Sequence, residues 1–243
     1  MKTGCERMAL LARRNEGGQT GSPSRRAGIQ DMSGALAVDL IVGALTGAIA
    51  APALTIHGLA QLTPSHASHR WLWLVSAVAG GAAGMAAIEA SRRAQSWLVA
   101  PALCVWACAL VAAACCDAVT KRIPTPLVRQ AGIGTLLLLS MGFAIDGDWR
   151  GLLLSSLAAA ASGLTVLLCW RFAGAGFGDV RVATLGGLGL GHASVRGLAL
   201  AVLALCVIVL VQAIVILSRG GNRQSTLPFG PALVTGLLLA AAS

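Results

Sequence analysis

Residues 97–116 read WLVAPALCVWACALVAAACC, twenty positions without a charge, and Asp117 follows at once. At about 1.5 Å per residue such a run crosses a hydrocarbon core of about 30 Å. Only a helix satisfies its backbone groups there without water. The stretch therefore predicts a transmembrane helix with a carboxylate at its end.

Similar runs recur on both sides. Toward the N-terminus they cover about 34–55, which contains Asp39, and 71–90, which opens on Trp71 and Trp73 and ends near Glu89. Toward the C-terminus they cover about 127–145, 151–170, a glycine-rich 180–193, 196–217 and a short 229–242. Tryptophans at several edges suit the boundary between lipid and water. Composition agrees. Of 243 residues, 56% are hydrophobic and 11% charged, against about 25% charged in a soluble domain. Mean hydropathy is +0.79. The expected fold is all-α, a polytopic transmembrane helix bundle of about seven to eight spans, occupying 34–243 as one domain.

Residues 1–33 differ. Lys2, Arg7, Arg13, Arg14, Arg25 and Arg26 are interspersed with Gly, Ser and Pro, without an apolar core. They read as a disordered basic tail. The apolar run after them is too long for a signal peptide. Met32 opens a tidy apolar segment and stands as an alternative start.

The chain carries 18 basic and 9 acidic residues, a net charge of +9. In a soluble protein this would suggest nucleic acid. Here the basic residues fall between apolar runs, as positive-inside topology requires, and no basic stripe with interleaved aromatics exists. Nucleic acid is therefore excluded as a partner, and the lipid bilayer is expected instead. If Lys121 and Arg122 lie inside, so do Arg171, Asp179, Arg181, Arg219 and Arg223, with Arg150 and Arg196 opposite. Both aspartate-bearing loops then share one face. Arg92, Arg93 and the tail fall on the other face, against the rule; initiation at Met32 would remove the tail. The seven cysteines form no CxxC pair and read as small buried hydrophobes. Cys104 and Cys108 share a helix face.

Two stretches carry chemistry. The first is CDAVTKRIPTPL, residues 116–127, in which Pro124 and Pro126 stop the helix and extend the loop. The second is GAGFGDVR, residues 174–181. Its alternating glycines let backbone approach a partner closely. It is no phosphate loop: no strand precedes it and no Lys-Ser/Thr follows. An acid at membrane depth is a functional signal. Two such carboxylates on one face cannot easily both ionise, so Asp117 and Asp179 are expected to share a proton. One then activates water and the other protonates the leaving amine. The other acids have simpler roles. Asp39 suits an interface, and Glu89 can pair with Arg92 and Arg93 along its helix.

At these residues the chain resembles the type IV prepilin peptidase family, the bacterial members of the GxGD aspartyl proteases. The first family motif is matched by Asp117 to Pro124, DAVTKRIP. The second is matched by Gly176-Phe177-Gly178-Asp179. A third, a late PFGP-like stretch, is matched by Pro228-Phe229-Gly230-Pro231. The resemblance covers roughly 100–243. It implies catalytic Asp117 and Asp179, with Gly176, Gly178 and Pro124 shaping the site and no metal or organic cofactor. The implied substrate is a prepilin or pseudopilin, cut at its leader on the cytoplasmic face of the bacterial inner membrane. Lys121, Arg122 and Arg181 flank the pair and could tune charge or hold substrate; Arg181 stands where lysine is usual. The zinc-binding CxxC domain of many members is absent between the first two spans. Only about 15 residues, 56–70, with His57, His66 and His69, stand there. Peptidase action without N-methylation is therefore expected. These histidines read as solvated or interfacial rather than as metal ligands.

Two other classes compete. A transporter would show acids or Gly/Pro breaks in both halves, and no internal repeat is found. A non-catalytic assembly factor of a pilus or secretion system would tolerate loss of the aspartates, and both are intact. A presenilin-like member of the wider class would carry Tyr-Asp, and this chain has no tyrosine.

Overall fold

A computed structural model describes residues 23–62, 70–173, 176–218 and 229–243. The chain divides into two compact units, Met1–Asp39 and Leu40–Ser243. The second carries both aspartate motifs.

Eight helices account for the described residues: α1 Pro23–Leu62, α2 Arg70–Arg93, α3 Ala100–Thr120, α4 Thr125–Asp146, α5 Trp149–Ala173, α6 Phe177–Leu188, α7 Val195–Ser218 and α8 Gly230–Ala242. A 3₁₀ turn, Trp97–Val99, leads into α3. No strand occurs among the described residues. The chain is thus an all-α polytopic bundle, and six of its helices are long and apolar enough to cross a membrane. Helix α1 begins at Pro23 rather than near 34. The expected tail is helical from that point, and residues 1–22 lie outside the described ones.

The two remaining helices are short: α6 begins and ends earlier than the expected 180–193, and α8 matches the short 229–242. Helix α6 has 12 residues and α8 has 13, or roughly 18–20 Å at 1.5 Å per residue. Neither spans as a free helix. Both nonetheless link the two ends of the bundle, because they run through its interior. Residues after α6 reach the start of α5, where His192 Nε2 lies 3.9 Å from Asp148 Oδ2. The end of α8 meets Arg93, whose Nη2 donates to the Ala242 carbonyl at 2.8 Å.

Helix α3 is the axis of the core. Trp106, Cys108, Leu110 and Cys116 on it are all buried. The indole Nε1 of Trp106 donates to the carbonyls of Leu185 (2.9 Å) and Gly186 (3.2 Å). These belong to the last turn of α6, where Gly186 also accepts the Gly189 N–H at 3.3 Å. Glycines let α6 pack backbone to backbone on α5: a Cβ at Gly187 would stand 2.5 Å from the Ala158 oxygen. A comparable contact joins α1 and α2. Cβ atoms at Gly47 and Gly84 would overlap the carbonyls of Gly80 and Gly43. The two GxxxG spacings, 43–47 and 80–84, thus face each other, a close-packing device of helices in lipid. Helix α7 lies at the other extreme: none of its most apolar window is buried.

Helix ends follow local chemistry. Helix α3 stops where Lys121 takes a left-handed conformation (φ 53°) and its N–H bonds the Asp117 carbonyl at 2.8 Å. Helix α4 starts on the Pro124-Thr-Pro126 turn and ends at Gly147 (φ 72°).

Candidate active site

The C-terminal ends of α1, α3 and α5 and the N-terminal ends of α2, α4, α6 and α8 gather at one end of the bundle. Asp117 is in the last turn of α3, 7% exposed. Its Oδ2 accepts the backbone N–H of Gly230 at 2.9 Å. Gly230 opens α8, so its amide points out of a helix N-terminus, where orphan donors favour an anion. A Cβ at Gly230 would sit 2.7 Å from Asp117 Oδ2. Glycine here is what lets α8 close on the carboxylate.

Asp179 lies outside the six spans, in the first turn of α6, and is 8% exposed. Its Oδ2 accepts the Gly176 N–H at 3.2 Å, and its own N–H returns to the Gly176 carbonyl at 3.0 Å. Burial raises the Asp179 pKa from 3.8 to about 6, with Asp117 adding to the rise and the Gly176 amide opposing it. The two acids, 62 positions apart in sequence, therefore sense each other's charge. That juxtaposition could not be read from spacing.

The other motif residues close around the pair. Gly178 packs on Ile123, with a Cβ there only 3.1 Å from the Ile123 Cδ1. Pro124 is fully buried. A Cβ at Gly58 would touch Cys116 Sγ at 3.0 Å and Pro124 Cγ at 3.2 Å, so the end of α1 backs the first motif. Arg181 Nη1 donates to Thr125 Oγ1, and its guanidinium lies 5.0 Å from the Phe177 ring centroid. Arg181 thus braces α6 against the start of α4. Lys121 and Arg122 are exposed in the turn after α3.

Some expected features lie elsewhere. His57 is on α1 and pairs with Gln61 at 2.9 Å, while His66 and His69 lie outside the described residues. Glu89 pairs with Arg92 at 3.7 Å and Arg93 at 3.5 Å. No group of three or more metal-ligating side chains occurs among the described residues. Three supports escape the sequence: Gly230 as a donor, and Gly58 and Thr125 as braces. The PFGP stretch draws attention to Gly230, but nothing in it points to Asp117 as the partner. The chain matches no family profile, no curated protein and no solved structure.

Proposed function

We propose that the protein is a membrane-embedded aspartyl endopeptidase acting on membrane-inserted, prepilin-like substrates. The observation that carries this reading is the pairing of Asp117 and Asp179. Both are buried, each accepts one backbone amide, and the charge of Asp117 adds to the burial that raises the Asp179 pKa. Such a pair holds one proton between two carboxylates. The ionised partner takes a proton from water as the oxygen attacks the scissile carbonyl. The protonated partner donates to the carbonyl oxygen, and the proton then passes to the departing amine.

Charge supports an orientation. Arg70, Lys121, Arg122, Arg129, Arg171 and Arg181 lie at or near the aspartate end. Four basic residues, Arg92, Arg93, Arg150 and Arg196, lie at the other end. The positive-inside rule then turns the aspartates to the cytoplasm. A groove of about 720 Å³ offers room for the apolar segment of a substrate. Its walls include Ala79, Ala83 and Ala86, and it reaches Ala118 and Pro231, the neighbours of Asp117 and Gly230.

The test is leader cleavage of a co-expressed prepilin, with wild type, Asp117→Asn and Asp179→Asn side by side at matched membrane levels. Wild type should cleave and both variants should not. Cleavage by either variant removes that residue from the mechanism. Failure of wild type across several prepilins favours a scaffold or transporter.

A further inference from the structure

A second groove, of about 700 Å³, lies between α4, α5 and α6. Its walls are apolar for most of their length, with Val128, Ile133 and Leu136 on α4 and Leu185 and Leu188 on α6. Its charged lining consists of Arg129 and Arg181, with no acidic residue. The two arginines share a depth: each is the fifth residue of its helix, about one turn inside the aspartate end. Arg129 makes no ion pair among the described residues. From Thr125 to Leu136 the groove follows α4 over 12 residues, roughly 16 Å from first to last. Half a hydrocarbon core is about 15 Å. The groove therefore offers two cations at headgroup level and apolar walls for one leaflet's depth.

Nothing in the lining crowds this space. A Cβ at Gly132 would reach only Leu185 Cδ1, at 4.0 Å. Ser156 and Thr184 turn their hydroxyls to their own helix, on the carbonyls of Leu152 (2.9 Å) and Val180 (2.8 Å). They place no unpaired donor against an acyl chain. Basic pockets between transmembrane helices select anionic headgroups by this chemistry.

We propose that this groove binds one anionic phospholipid of the leaflet at the aspartate end, its phosphate between Arg129 and Arg181 and an acyl chain along α4 and α6. Arg181 also touches Thr125 and is two residues from Asp179, so the lipid would abut the wall of the aspartate site. The site does not depend on the reaction proposed above.

The experiment uses the full chain, purified in neutral detergent and stripped of lipid. Phosphatidylglycerol or phosphatidylcholine is added back, and retained lipid is read by native mass spectrometry. Phosphatidylglycerol should be retained at least tenfold better. Arg129→Gln with Arg181→Gln should lower that retention about tenfold or more. Gly132→Leu, which fills the groove and keeps every charge, should lower it similarly and so separate the groove from general surface attraction. Lipid-free variants must keep wild-type helicity, a lower melting point being expected where the Arg181–Thr125 bond is lost. If Gly132→Leu does not fold, the arginine pair decides. Equal retention of both lipids, or retention unchanged without the two arginines, overturns the proposal. So does an acidic substrate peptide that binds through these arginines and excludes phosphatidylglycerol.

Discussion

The amide of Gly230 donates a 2.9 Å hydrogen bond to Asp117 Oδ2 across 113 positions of sequence. One backbone donor, at the first turn of the last helix, holds a carboxylate at the end of the third. The contact needs glycine, since a Cβ would stand 2.7 Å from the same oxygen. Gly230→Ala should therefore displace Asp117 while leaving the bundle folded. A displacement of about 1 Å at a reacting group can lower turnover about 100-fold. Cleavage kinetics at matched expression check this; a rate within twofold of wild type would remove Gly230 from the site.

Gly178 and Ile123 test how the two motifs fit. A Cβ at Gly178 would press on the Ile123 side chain at 3.1–3.3 Å. Gly178→Ala should reduce activity, and adding Ile123→Ala should restore part of it by making room. Contacting residues commonly show coupling of about 0.5–3 kcal/mol. Additive effects in a double-mutant cycle would mean that the contact does not position Asp179.

Asp179 predicts a pH signature in stability. Its pKa rises from 3.8 to about 6 on folding. Between those values the folded chain holds a proton at this site that the unfolded chain has released. Stability from this group therefore falls as pH rises from about 4 to about 6, and is level beyond. Thermal midpoints in one detergent, for wild type and Asp179→Asn, give the difference. It should shift against wild type with rising pH over this window. A difference that is flat or shifts the other way would refute the raised pKa.

The glycine contact between α1 and α2 makes a contrast in stability. Gly47→Leu drives a side chain into the Gly80 backbone, which cannot move aside as a rotamer does. Overpacking typically costs about 1–3 kcal/mol and more against backbone, so the thermal midpoint should drop clearly. Gly134, also inside a helix, has nothing within 4 Å of its Cβ position. Gly134→Ala should be neutral or slightly stabilising. Equal effects at the two sites would argue against the close crossing.

Trp106 joins the core to the site. Trp106→Phe keeps an aromatic ring but takes the indole donor from the Leu185 carbonyl, while Gly186 keeps the Gly189 N–H. An orphaned buried acceptor costs about 1–3 kcal/mol. A lower thermal midpoint and loosened amide-exchange protection in α6 are expected. Unchanged exchange in 177–188 would show that α6 is held by its glycine packing on α5 alone.

Much of this protein is legible in its sequence, because hydropathy and length are local. A run such as 97–116 can satisfy its backbone in lipid only as a helix, whatever its neighbours do. The same logic located most apolar segments to within a few residues, although the first helix runs on to Leu62 rather than ending near 55. It also put Asp117 and Asp179 at one end of the bundle, since helices that alternate in direction leave little choice, although both sit in helical turns rather than loops. The i,i+3 and i,i+4 pairing of Glu89 with Arg92 and Arg93 was readable for the same reason. Tertiary structure alone decided the rest. Local pattern cannot state that α6 stops at Leu188, or that α6 and α8 are buried among the longer helices. Nor can it state that Gly230 reaches Asp117, that Gly178 rests on Ile123, or that two GxxxG faces meet. Each of these joins residues far apart in the chain. Whether they touch depends on how all the helices pack together, where the absence of a side chain on one helix matters only once another backbone arrives to use the space.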